Sequence, residues 1–204
     1  LWLCSLSFMI AGTGMAAVTE LALVALPLPL VIVMVQMVCG VLLVVVWNGF
    51  AISLGGWAWN GVRWGSGQDV WRWSRVALFF VGSSYTFAAA LFHSTLSAVV
   101  TWRNLAPLPT MLVEMTMFKH ATYRATGPSM LGLMIMLCGV ALYAFHDFQI
   151  SYVGSVLILC HTTLLVLETL TRRQLLTEPT NPLLMTHQAM LFFNFSFGLL
   201  ICLV

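Results

Sequence analysis

Apolar residues fill this chain in long blocks, and short polar or Pro/Gly-containing stretches divide them. A block of about 20 apolar residues can cross a bilayer as a helix. Seven such blocks are predicted: residues 3–26, 30–54, 76–92, 96–118, 128–145, 152–170 and 184–204. Pro27-Leu28-Pro29 separates the first two, Gly55-Gly56 closes the second, and Gly127-Pro128 is a start signal for the fifth. Residues 57–75 are different. They hold Trp57, Trp59, Trp64, Trp71 and Trp73 beside Arg63, Asp69, Arg72 and Arg75. Tryptophan favours the headgroup zone, so this segment is expected to lie along a membrane interface before the third span begins. The pattern predicts an all-α, polytopic membrane helix bundle.

Charge fixes the expected orientation. Basic residues occur in alternate loops: Arg63, Arg72 and Arg75, then Lys119 and Arg124, then Arg172 and Arg173. By the positive-inside rule these loops are cytoplasmic and the first span starts in the cytoplasm. The composition agrees, with 61% hydrophobic and only 7% charged residues, against about 25% charged in a soluble domain. A net charge of +2 and the lack of a basic run exclude nucleic acid as a partner. The five cysteines lie inside apolar segments without metal-ligand spacing and read as small packing residues. Gly132 and Gly139 suit close helix approach in the fifth span. No His-Glu-x-x-His, nucleophile elbow or acidic cluster is present. The expectation is a protein that is not an enzyme and uses no cofactor or metal. Both ends of the chain fall inside apolar runs, so it is expected to be a piece of a longer protein.

Of the eight basic residues, Arg103 alone lies outside the basic loops, about seven residues into the fourth span. A charge near the centre of a bilayer costs roughly 2.5–3.5 kcal/mol on insertion scales, so such residues usually face a polar cavity. One reading has Arg103 snorkel to the headgroups. Another pairs it with Glu114, which shares its helix face but is too far along the helix for direct contact. Glu114 is expected to meet another helix or the cytoplasmic mouth. The functional reading is that the guanidinium fork binds phosphate oxygens. Pro107 and Pro109 follow, and they either break the helix at a binding site or kink it for packing. Asn104 and Thr110 offer further substrate contacts or bonds between helices. Glu20 is a candidate charge partner of Arg103 in the empty site. His161 lies mid-span in the sixth helix, where a lone histidine usually bonds a neighbouring helix. Glu168 and Arg172 form an i, i+4 pair at a span boundary, and on a transport reading replacing Arg172 is expected to change exchange little. Asn194, with Phe193 and other aromatics beside it, either receives a nucleobase by stacking and edge bonding or ties two helices together.

Pro27-Leu28-Pro29-Leu30 followed by Val35-Gln36-Met37 resembles the start of the second helix in the nucleotide-sugar and triose-phosphate transporter families. Arg103-Asn104-Leu105-Ala106-Pro107-Leu108-Pro109-Thr110 with Glu114 resembles their fourth helix, where a basic residue lines the substrate cavity. The run from Gly139 to Phe148 resembles the end of their fifth helix, and Leu170-Thr171-Arg172-Arg173 the exit of the sixth. Where family members carry Asn-Lys late in the first helix, this chain has Thr19-Glu20.

The resemblance to this drug/metabolite transporter superfamily implies a ten-helix fold of two inverted five-helix repeats. The first repeat would occupy about 1–147, and the start of the second about 148–204. It further implies an antiporter of phosphorylated sugars in Golgi or ER membrane, with nucleotide sugar exchanged for nucleoside monophosphate. A triose- or hexose-phosphate translocator of a plastid envelope is the alternative within transport. A non-transporting scaffold or receptor on the same fold is the alternative outside it. Since the last three helices would be missing, a homodimer is one way such a chain could act.

Overall fold

The computed structural model describes residues 2–53, 63–117, 127–146, 151–178 and 183–203. Trp57, Trp59, Lys119, Arg124 and the predicted repeat boundary near residue 147 lie outside them. The described chain is all-helical: α1 (Trp2–Ala25), α2 (Pro29–Ser53), α3 (Gly67–His93), α4 (Leu96–Arg103), α5 (Pro107–Met117), α6 (Gly127–His146), α7 (Tyr152–Thr177) and α8 (His187–Leu203). α4 and α5 are the two halves of the predicted fourth span. Among the described residues, three helices are long and apolar enough to cross a membrane: Pro29–Gly49, Gly67–His93 and Tyr152–Thr177.

α3 begins nine residues earlier than the apolar pattern predicts. Ser66 caps it: its hydroxyl accepts from the Asp69 amide at 3.2 Å, and the Asp69 carboxylate accepts from the Ser66 amide at 2.9 Å. This reciprocal capping box satisfies two backbone donors that a helix start otherwise leaves bare. The Arg and Asp residues that make the segment look like an interfacial loop are therefore the first turns of a helix. Trp71 is exposed, as an interfacial tryptophan would be, but Trp73 is only 1% exposed and belongs to the core.

Bonds between helix ends set the direction of each helix. Arg72 at the start of α3 pairs with Glu178 just past α7, and at the other end the Ser151 hydroxyl donates to the His93 carbonyl at 2.9 Å. α3 and α7 thus run antiparallel along their whole length. Tyr143 near the end of α6 donates to Ser97 at the start of α4. Thr186, just before α8, donates its amide to the Arg63 carbonyl at 3.0 Å, beside the start of α3.

The core has three parts. Ala16, Leu23, Ile32, Phe87, Leu91, Val99 and Ile158 join α1, α2, α3, α4 and α7. Trp73, Val76, Leu175, Met185, Ala189 and Met190 close the opposite end. Val33, Met37 and Ala88 pack against Phe80 and Phe195. Glycine allows α8 to sit this close. A Cβ on Gly40 would lie 2.7 Å from the Phe195 ring, and one on Gly198 2.8 Å from the Met37 sulfur. The glycines expected to play this part, Gly132 and Gly139, have open space around them. They lie on α6, of whose described residues only Val140 is buried. Cys39, Cys138 and Cys160 are likewise exposed, so they are not the packing residues expected.

Candidate functional site

The break between α4 and α5 follows from two prolines without amide protons. In a continuous helix residues 107 and 109 would donate to the carbonyls of Arg103 and Leu105. Instead Ala106 donates to the Arg103 carbonyl at 3.1 Å and Leu108 to the Leu105 carbonyl at 3.0 Å. These are tighter, 3₁₀-type bonds. Both the amide and the hydroxyl of Thr110 then donate to the Ala106 carbonyl, the hydroxyl at 2.8 Å. Thr110 is buried and spent on its own backbone, while Asn104 is exposed at the break.

Arg103 ends α4 with its guanidinium carbon 5.4 Å from the centre of the Phe87 ring on α3. A cation over an aromatic face gains about 0.5–2 kcal/mol, the more so when water is excluded. Phe87 is six residues from the end of α3, about 9 Å. The head therefore stays level with its own Cα instead of running toward the start of α4, as snorkelling would require. Among the described residues no carboxylate lies within 4 Å of Arg103. Glu168 of α7 is the acidic group whose charge acts on it.

His161 of α7 lies against the same Phe87 ring, with centroids 5.3 Å apart. Its Nδ1 is 2.9 Å from the Ser83 carbonyl of α3, which is the interhelical bond expected of it. Its Nε2 is buried and has no partner among the described residues, an arrangement that costs about 1–3 kcal/mol if nothing else meets it. Glu168, seven residues on and only 4% exposed, holds Arg172. The site is thus a guanidinium over an aromatic ring, a half-used imidazole and a buried carboxylate, assembled from α3, α4 and α7.

The remaining candidates lie elsewhere. Glu114 on α5 meets α7, accepting from Arg173 at 2.5 Å. Glu20 is half-buried on α1, beside Thr19, which accepts a 2.8 Å bond from Gln36 and ties α1 to α2. Asn194 is 3% exposed, and its side-chain oxygen accepts from the Trp73 indole at 2.8 Å. Phe193 packs edge-on against Trp64 and stacks with Phe197. Trp73 and Phe87 are fourteen residues apart on α3, about 21 Å. The substrate residues read from the sequence therefore do not form one pocket, and the bond Asn194 makes is of the helix-tying kind. Trp73→Phe removes the indole donor and leaves a buried amide oxygen bare, so a loss of about 1–2 kcal/mol is expected in thermal or denaturant unfolding.

An apolar groove of about 480 Å³ lies along the break, lined by Trp102, Leu105 and Pro109, Leu137 of α6, and Ile158 and Thr162 of α7. It offers no charge to a phosphate. Phe87 and Glu168 were not singled out as parts of the Arg103 site by sequence reasoning. The available signal was spacing: His161, Glu168 and Arg172 fall at i, i+7 and i+11, one face of a helix. No family model, curated protein or solved structure matches this chain.

Proposed function

We propose that this chain forms part of a membrane antiporter for phosphorylated sugars, with nucleotide sugar exchanged for nucleoside monophosphate. The observation that carries the reading is Arg103. It is a permanent cation turned inward over Phe87, without a carboxylate within 4 Å among the described residues, at the end of a helix that breaks beside it. Such a group attracts an anion, and its planar fork suits phosphate oxygens. Broken helices at this depth are a recurrent way for transporters to build a site. The apolar outer faces of α1, α2 and α6 suit lipid or further helices. On this reading seven spans sit in a Golgi or ER membrane, or in a plastid envelope for the sugar-phosphate branch. They belong to a ten-helix inverted-repeat fold, and the two repeats rock around Arg103.

Thermal stabilisation of the full-length protein tests the reading. The panel holds UDP-, GDP- and CMP-sugars, their monophosphates, triose phosphates and free sugars. A ligand that binds the native state at a hundred times its Kd adds about 2.7 kcal/mol. A shift shared by one nucleotide sugar and its monophosphate is expected. A shift with triose phosphate alone moves the protein to the translocator branch. No shift from folded protein favours the non-transporting scaffold.

A further inference from the structure

Arg103 supplies charge, but charge alone does not choose among anions. The group beside it does. The Ser83 carbonyl can only accept, so the contact at 2.9 Å places a proton on His161 Nδ1. Nε2 is then a lone-pair acceptor. It lies on the far side of the ring from Ser83, it is buried, and among the described residues nothing donates to it. The whole residue is 3% exposed. Arg103 acts on this imidazole electrostatically, and both side chains lie against Phe87. The Phe87 ring thus carries a cation and an acceptor-bearing imidazole against it.

We infer that His161 Nε2 is a specificity determinant of the Arg103 site: it accepts a hydroxyl from the bound anion. The site then selects anions that bring an O–H donor, and it discriminates against anions of the same shape that lack one. The principle is general: a buried acceptor built to meet a hydroxyl is left unpaired by the analogue without it, which that analogue pays for in affinity. The donor is either a protonated phosphate oxygen or a sugar hydroxyl near the anionic group. Nε2 is shielded in the arrangement seen here. On the proposed mechanism it is presented by the rocking of the two repeats that alternating access requires. The inference rests on the anion-binding reading of Arg103.

Two matched pairs of probes separate the sources. Inorganic phosphate carries a P–OH near neutral pH and sulfate carries none. Glucose 6-sulfate carries sugar hydroxyls and methyl sulfate does not. Binding is measured by thermal stabilisation of the full-length protein. In the wild type, at least one hydroxyl-bearing anion is expected to bind about tenfold tighter than its partner, and the pair that differs identifies the donor. His161→Asn keeps an N–H at the Nδ1 position and has nothing at Nε2. It should equalise that pair while leaving sulfate or methyl sulfate binding in place, which also shows that the variant is folded. His161→Gln, whose amide oxygen reaches the Nε2 position, should retain the preference, and it serves as the test if the asparagine variant does not fold. Equal binding within both pairs in the wild type overturns the inference, as does a preference that survives His161→Asn. If none of the four anions binds, or if Arg103→Gln leaves their binding intact, the anion-binding reading fails first and takes this inference with it.

Discussion

Exchange of labelled nucleoside monophosphate in proteoliposomes falls at least about thirtyfold when Arg103 becomes glutamine. Losing a desolvated charge from a bonded ion pair costs about 2–5 kcal/mol, and about 1.4 kcal/mol is a factor of ten. Glutamine keeps polar atoms and some length but has neither charge nor fork. Stability should move far less. Arg103 has no carboxylate within 4 Å, and Glu168 keeps its bond to Arg172, so the variant strands no ion. The contact with Phe87 is lost, about 0.5–2 kcal/mol. Melting and exchange measured on the same preparation separate the two effects. Wild-type exchange by the variant would remove Arg103 from the mechanism.

Arg172→Ala has the opposite signature. From the sequence it is a boundary residue whose loss is expected to change exchange little, and its effect falls on stability instead. In the structure its partner Glu168 has a side chain only 5% exposed, and that carboxylate owes its tolerance of burial to the guanidinium. Removing one partner of a buried pair costs about 3–5 kcal/mol. The Arg172 side chain is itself 42% exposed and Arg103 still acts on Glu168, so the lower end, about 3 kcal/mol, is expected. The double variant Arg172→Ala, Glu168→Gln should recover much of the loss, because it no longer buries a charge. A melting temperature unchanged in Arg172→Ala would contradict this account.

Helix ends that depend on local chemistry were legible in the sequence. α2 runs Pro29–Ser53 against a predicted 30–54, and α6 runs Gly127–His146 against 128–145, because proline, glycine and apolar runs act where they stand. The break after Arg103 was legible for the same reason. The start of α3 was not. Ser66 and Asp69 carry a capping signal, but the surrounding arginines and tryptophans outweigh it in a hydropathy reading. That misplacement had a consequence. Trp73 was assigned to an interfacial segment, so its bond to Asn194 could not be anticipated, and Asn194 was left looking available for a nucleobase. Arg103 stood out because a charge in an apolar run is conspicuous. Its partners Phe87, His161 and Glu168 depend on which faces of α3 and α7 meet α4. That is decided by packing between distant segments, where no short pattern reports it.

The prolines that break the fourth span also make α5 a lever. The carbonyls at the break are already taken by tight bonds from Ala106 and Leu108, and Pro107 donates to nothing. Pivoting α5 against α4 therefore sacrifices no bond of an intact helix. Glu114 lies seven residues along α5 from Pro107, about 10 Å, so a tilt of about 10° carries it about 2 Å. That carboxylate is fastened to Arg173. A small rotation beside Arg103 is thus amplified into a displacement large enough to unfasten an ion pair near the other end of the bundle, while α4 keeps its seat.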